Sequence, residues 1–120
     1  MIVDTARVAA ELLAPHFAEL EGEGVAVLHL DEDRRLLATT FDPGGPGLPM
    51  RSILAASLRA GAVAIVVARN HSGDDAKPTP EELDAARALA EAGAALGVRL
   101  IDHLVFAAGQ CRSFRELGLL

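Results

Sequence analysis

The side chains able to move protons, hold metal ions or act as nucleophiles are few in this 120-residue sequence and fall in three places. The richest is the polar stretch Arg69-Asn70-His71-Ser72-Gly73-Asp74-Asp75, followed by Pro78-Thr79-Pro80-Glu81-Glu82 and Asp84. It comes after a short all-apolar segment, so it sits between the carboxyl end of a buried strand and the start of a helix, where exposed backbone groups and adjustable side chains meet. Asp74 and Asp75 offer oxygens to a hard cation, although two acids in a loop are most simply hydrated. The second place is Glu23, in the turn Glu21-Gly22-Glu23-Gly24, by itself a hydrated carboxylate. The third is Asp102-His103, which reads as an acid–base dyad until its element is considered. Adjacent side chains on a strand point to opposite faces, so a structural role is favoured. His29, inside the apolar run Val25–Leu30, reads as a hydrogen-bonded core residue. His16 carries no signal, Cys111 has no activating base beside it, and Arg34-Arg35 read as turn charges.

The elements that must position these residues follow from periodicity and punctuation. Val8, Leu12, Leu13 and Phe17 lie near helical spacing and predict a helix over 4–20, which Pro15 kinks or ends. Residues 25–30 read as a buried strand, 31–35 as a polar turn and 36–41 as the returning strand of a hairpin. Asp42 to Pro49, with three Gly and three Pro, is a loop. Residues 50–61 predict a second helix, and Ala62–Ala68 a strand buried on both faces. Residues 69–78 form the loop already singled out. Thr79 is then an N-cap, Pro80 occupies N1 and Glu82 closes a capping box, starting a helix that runs to about Leu96 and stops at Gly97. Residues 98–107 predict another strand, Gly109-Gln110 a turn, and Ser113–Glu116 a helical turn. The order α-β-β-α-β-α-β is a mixed α/β (α+β) domain with helices packed on a sheet. The expectation is one domain over 1–120, in which 1–22 form a leading helix and turn.

Composition narrows the function classes. With 11 Lys+Arg against 17 Asp+Glu the net charge is −6, which argues against a phosphate-backbone binder. There is no Trp and no Tyr, and only four Phe, so platforms for base stacking are scarce. A single cysteine excludes an internal disulfide framework and any CxxC zinc site. No apolar run reaches the roughly 18 residues of a membrane span, and Met1-Ile2-Val3-Asp4 shows no basic leader. The expectation is a soluble cytoplasmic protein with no membrane partner.

Several segments, taken together and in order, resemble the RadC-like JAB domain family of the JAB/MPN superfamily. Arg69-Asn70-His71-Ser72-Gly73 with Pro78-Thr79-Pro80 and Asp84 is similar to that family's HNHPSG…PTPSxxD stretch. Gly97-Val98-Arg99-Leu100-Ile101-Asp102-His103-Leu104-Val105, then Ser113-Phe114 and Gly118-Leu119, resembles its DH…SF…G-[LW] ending. Glu23 precedes Leu28-His29-Leu30-Asp31 at the spacing of the family's E-x-F-x-x-L-x-L-D strand, and Met50-Arg51-Ser52-Ile53 with Leu58 weakly resembles its P-R-E-[VI]…A-L helix. The resemblance covers about residue 8 to 120. It implies a mixed sheet flanked by helices, of the MPN/JAB (cytidine-deaminase-like) kind. For the enzymatic members it also implies a zinc metallopeptidase, in which two His and one Asp bind zinc, a distant Glu is the general base and a Ser orients water or the oxyanion.

Carried over position by position, Glu23 matches the general base, His71 the second histidine and Asp84 the carboxylate ligand. Arg69 stands in place of the first histidine and Glu81 in place of the serine. The proline after the second histidine is absent. From His71 to Glu81 is ten positions, against eight in the family, which reads as a two-residue insertion. Arginine has five donors and no acceptor, so it cannot ligate zinc. His71 and Asp84 alone make a weak site, and zinc is expected to be absent or weakly bound. If Glu23 and Asp84 converge, Arg69 would replace the zinc's charge by pairing with one or both of them.

Three functions follow from different classes. The first is a metal-free JAB domain acting as a binding or scaffold module for a protein or peptide partner. The second is a zinc hydrolase with a rewired ligand set of His71, Asp84 and either Glu81 or an acid from 74–75. The third is a DNA-repair role, which attaches to the family by name and which the charge opposes. The apolar first helix and the strand edges are compatible with a homodimer.

Overall fold

A computed structural model describes residues 1–120. Its eight elements are α1 (Ala6–Glu19), β1 (Gly24–Leu30), β2 (Leu36–Pro43), α2 (Met50–Ala60), β3 (Ala64–Asn70), α3 (Pro80–Ala95), β4 (Arg99–Ala107) and β5 (Gln110–Ser113). The strands form one mixed sheet in the order β2-β1-β3-β4-β5. Only β3 and β4 run parallel, joined by the α3 crossover. Both β1 and β3 are buried along their whole length, as strands covered on two faces must be. On one face Ala9, Leu13 and Phe17 of α1 pack against Ala26, Leu28 and Val66. On the other, Ile53 of α2 and Ala86 and Leu89 of α3 pack against Val25, Val27, Ile65 and Val67. The mixed α/β architecture expected from the sequence is therefore present, with three helices flanking five strands, as in a JAB/MPN fold. No helix is long and apolar enough to cross a membrane.

Local differences from the expected elements have physical causes. Pro15 lies inside α1 without ending it. The carbonyl it leaves unpaired belongs to exposed Glu11, where water can serve it. Strand β3 continues two residues into the polar segment, because Arg69 pairs with Val25 and Asn70 with Phe106 in the ladder. Residues 110–113 form a fifth strand, where the sequence predicts only a turn at Gly109-Gln110 and a helical turn from Ser113. The β4–β5 hairpin turns on Ala108 (φ 47°) and Gly109 (φ 79°), the doubly left-handed geometry of a two-residue hairpin loop. An alanine in the first of these positions hides that signal. The capping box of α3 is as predicted: the Thr79 hydroxyl accepts from the Glu82 N–H, and the Glu82 carboxylate accepts from the Thr79 N–H.

Two buried histidines set the core's response to acid. His29 is fully buried and hydrogen-bonded at both nitrogens, to Ser57 Oγ at 2.9 Å and Thr40 Oγ1 at 2.7 Å. Ser57 donates its own proton to the Ile53 carbonyl, so it accepts from His29 Nδ1–H, and Nε2 accepts from Thr40. His103 is fully buried against Phe114, with ring centroids 4.5 Å apart, and neither of its ring nitrogens has a hydrogen-bond partner. Asp102 turns away from it. The carboxylate accepts from Ser113 Oγ and from the N–H groups of His103 and Arg115, tying β5 and the following turn to β4. The two residues therefore form no dyad.

Burial lowers the pKa of His29 and takes that of His103 down to about 4. Both are held neutral in the fold, while the unfolded chain protonates them near pH 6.5. Stability is therefore expected to fall as pH drops below about 6.5. In urea titrations at pH 7 and pH 5, His103→Leu should flatten this loss. His29→Leu should cost about 1–3 kcal/mol at pH 7, because Thr40 loses its buried acceptor. An unchanged pH slope in His103→Leu would contradict this account.

Candidate functional site

The chemistry-bearing residues gather where β1 begins and β3 ends. Asn70 holds this place together. Its Oδ1 accepts from the Gly24 N–H at 2.8 Å and its Nδ2 donates to the Gly22 carbonyl at 2.9 Å, so the 21–24 turn is stapled to the end of β3. Glu23 is thereby fixed beside the loop that follows β3, where its Oε2 accepts from the Ser72 N–H at 3.1 Å. The segment after β2 lies directly on Glu23. Gly44 N–H donates to the Glu23 carbonyl, and a Cβ on Gly44 would stand 2.6 Å from the Glu23 backbone. Only glycine permits that approach.

Arg69, on the α3 face of β3, projects into the space so formed with its side chain 7% exposed. Its Nη2 donates to the Gly45 carbonyl at 2.9 Å and its Nη1 to the Gly47 carbonyl at 3.2 Å. Nη2 lies 4.0 Å from Glu23 Oε1, and Nε lies 3.4 Å from Glu82 Oε2. The same Glu82 oxygen is 2.6 Å from His71 Nε2, and the other ring nitrogen of His71 is 2.8 Å from the Asp75 carbonyl. A carbonyl only accepts, so Nδ1 carries a proton. Nε2 faces the Glu82 carboxylate, a contact that favours the protonated ring. Burial opposes its charge, but the Asp75 carbonyl and the carboxylates of Glu82 and Glu23 outweigh this and raise its pKa. For Glu82 burial also opposes the charge. The Thr79 N–H, His71 and Arg69 outweigh it and lower its pKa.

These residues line a polar cleft of about 190 Å³ with no hydrophobic side chain in its wall. Of the residues singled out from the sequence, Glu23, Arg69 and His71 come together. Glu81 is exposed at the rim and makes no hydrogen bond. Asp84 is exposed, with neither hydrogen bond nor ion pair, and does not join the cluster. Asp75 contributes its carbonyl, while its carboxylate accepts from the Lys77 N–H. Cys111 is on β5, and partial covering of its sulfur with the charges of Asp102 and Glu116 pushes the thiol up.

The carboxylate that reaches His71 is Glu82, which the sequence marks only as a capping residue. A signal for it exists. Counting the family's eight positions from His71 without an insertion lands on Thr79, and three further on Glu82. The Pro78-Thr79-Pro80 text instead sets the register two residues further on, at Glu81 and Asp84. In the ungapped reading the pattern is Arg69-x-His71, Thr79 and Glu82, with Thr for Ser and Glu for Asp. Asn70 and the carbonyls of Gly45 and Gly47 carry no sequence signal of their roles.

A zinc ion does not fit this donor set. A catalytic zinc takes three protein ligands with lone pairs and keeps one position open. Arg69 has no lone pair, and its guanidinium lies within 4.0 Å of both Glu23 and Glu82, where its charge opposes a dication. What remains is His71 as a single nitrogen donor, with both carboxylates already facing the guanidinium. No three His, Cys, Asp or Glu side chains assemble as a metal-binding group.

The chain matches the RadC-like JAB domain family over residues 3–119. It is 32% identical over 118 residues to UPF0758 protein STH371 of Symbiobacterium thermophilum, covering 95% of this chain and 50% of the relative. It is 34% identical over 119 residues to UPF0758 protein AM1_4368 of Acaryochloris marina, covering 96% and 49%. With UPF0758 protein alr2351 of Nostoc it shares 35% over 102 residues, covering 82% and 42%. The chain thus spans about half the length of these relatives, and it belongs to the RadC-like JAB domain family.

The raised pKa of His71 means that its part of the pair's stability is complete below the unfolded value near 6.5 and fades as pH climbs through the folded value. The lowered pKa of Glu82 means that its part is lost on acidification below the usual Glu range. The pair is strongest between those limits. An NMR titration of the His71 ring should give a midpoint above 6.5 in the wild type, moving down in Glu82→Gln. A wild-type midpoint at or below 6.5 would show that the ring is not held as an imidazolium.

Proposed function

We propose that this RadC-like JAB domain works as a binding or scaffold module for a protein or peptide partner, not as a zinc hydrolase. The observation that carries the reading is the state of the two positions where the family places nitrogen ligands. One holds a guanidinium, which has no lone pair for a Lewis acid to use, and the other holds His71, engaged at one nitrogen by the Asp75 carbonyl and at the other by Glu82. The net charge of −6 points away from nucleic acid as the partner. A groove of about 380 Å³ between α1 and the β4–β5 hairpin supports a peptide-like partner. It is lined largely by apolar groups, including Phe17, Phe106 and Ala107, and opens beside His71.

Protein purified without chelators is expected to carry far less than one zinc per chain by elemental mass spectrometry. It should also show no chelator-sensitive cleavage of peptide or isopeptide substrates, with or without added zinc. Near-stoichiometric zinc accompanied by such cleavage would overturn the reading and point to a rewired set built on His71 and the surrounding carboxylates.

A further inference from the structure

We propose that the Arg69 guanidinium stands where the family holds its metal and supplies a fixed positive charge in its place, so that the cleft is held together by a cation built into β3. This rests on the reading above that zinc does not occupy the site. Four oxygens surround the guanidinium: the Gly45 and Gly47 carbonyls at 2.9 and 3.2 Å, Glu82 Oε2 at 3.4 Å and Glu23 Oε1 at 4.0 Å. Two of them are carboxylate oxygens, one from Glu23, which matches the family's general base, and one from Glu82, the carboxylate that reaches His71. The other two come from the segment after β2, which reaches the site only because Gly44 lets it lie on the Glu23 backbone.

The contacts distinguish a charge substitute from an ordinary arginine clamp. Directional bonds go to the two carbonyls. Toward the carboxylates the guanidinium makes no bidentate fork, and its Nε, although 3.4 Å from Glu82, has no hydrogen-bond geometry to any acceptor. A bidentate pair is what arginine forms when selected for carboxylate recognition. Here it fills a space enclosed by oxygens and balances them. Arg69 brings a fixed positive charge between the carboxylates of Glu23 and Glu82, and His71 stands beside them with Nε2 2.6 Å from Glu82. A buried guanidinium is tolerated only with such compensation. Without it, two carboxylates would face the cleft with His71 as their only counter-charge.

The test compares three substitutions in the full chain by thermal melting, with chelator or with added zinc, and by zinc calorimetry. Arg69→Lys keeps the charge, Arg69→Met keeps the length without charge, and Arg69→His restores a nitrogen ligand. Wild-type Tm should be the same in chelator and in zinc. Arg69→Met should lose several degrees, Arg69→Lys clearly less. Arg69→His should melt low in chelator, then take up an equimolar amount of zinc and regain Tm. Equal melting of the Met and Lys variants, or a folded Arg69→His protein that takes up no zinc, would overturn the proposal. Should Arg69→Met not fold, the Arg69→His protein refolded with and without zinc decides the matter by the same criterion. Failure of these variants beside a zinc-free wild type sinks this proposal alone, whereas zinc on the wild type sinks the functional reading beneath it.

Discussion

A positive charge buried at the end of β3 organises everything around the cleft. A guanidinium removed from water needs oxygens on all sides, because the desolvation of such a group is large and is offset only by close, well-placed partners. The chain meets this demand from three separate segments around β3. The 21–24 turn brings Glu23, the segment after β2 brings two carbonyls, the first turn of α3 brings Glu82, and β3 itself carries Arg69. None of these is local to another in sequence. Each is fixed by a further interaction: Asn70 on the turn, the bare Cα of Gly44 against Glu23, and the Thr79 cap that sets where α3 begins.

Glu82 shows how one residue can serve two requirements. As the N3 residue of a capping box it satisfies the Thr79 N–H with one oxygen. With the other it accepts from His71 and faces Arg69. The helix start and the charge cluster are thus one construction. A capping glutamate on most helices would be exposed; here it is 7% exposed. Capping satisfies its carboxylate locally, which reduces the unfavourable part of burying it beside the cluster.

This explains which parts of the site were legible in the sequence. Contributions that act over a few residues, such as the capping box at 79–82, the hairpin of β1 and β2 and the apolar run of β3, can be read from local pattern. The cluster depends on long-range geometry. Asn70 acts on residues 46 and 48 positions away, and the Gly45 and Gly47 carbonyls act through backbone atoms that every residue possesses. Asp84 attracts attention because the Pro-Thr-Pro text and an aspartate stand in familiar order. The eight positions from His71 to Thr79, with the cap that starts α3 there, bring Glu82 rather than Asp84 to the ring. Motif text is a weaker constraint than the number of residues between a strand end and a helix start.

The placement of His103 ties the cleft to the core beneath it. The ring lies on the same face of the sheet as Arg69, fully buried, with both nitrogens unpaired, and it feels the charges of Glu82 and Arg69 in opposite senses. A neutral, unpaired imidazole tolerates a balanced cluster nearby, since the opposing fields offset one another. A lone carboxylate beside it would favour its protonation and a lone guanidinium would oppose it, so the charges of the cleft act on the core beneath them as well as on the loops above.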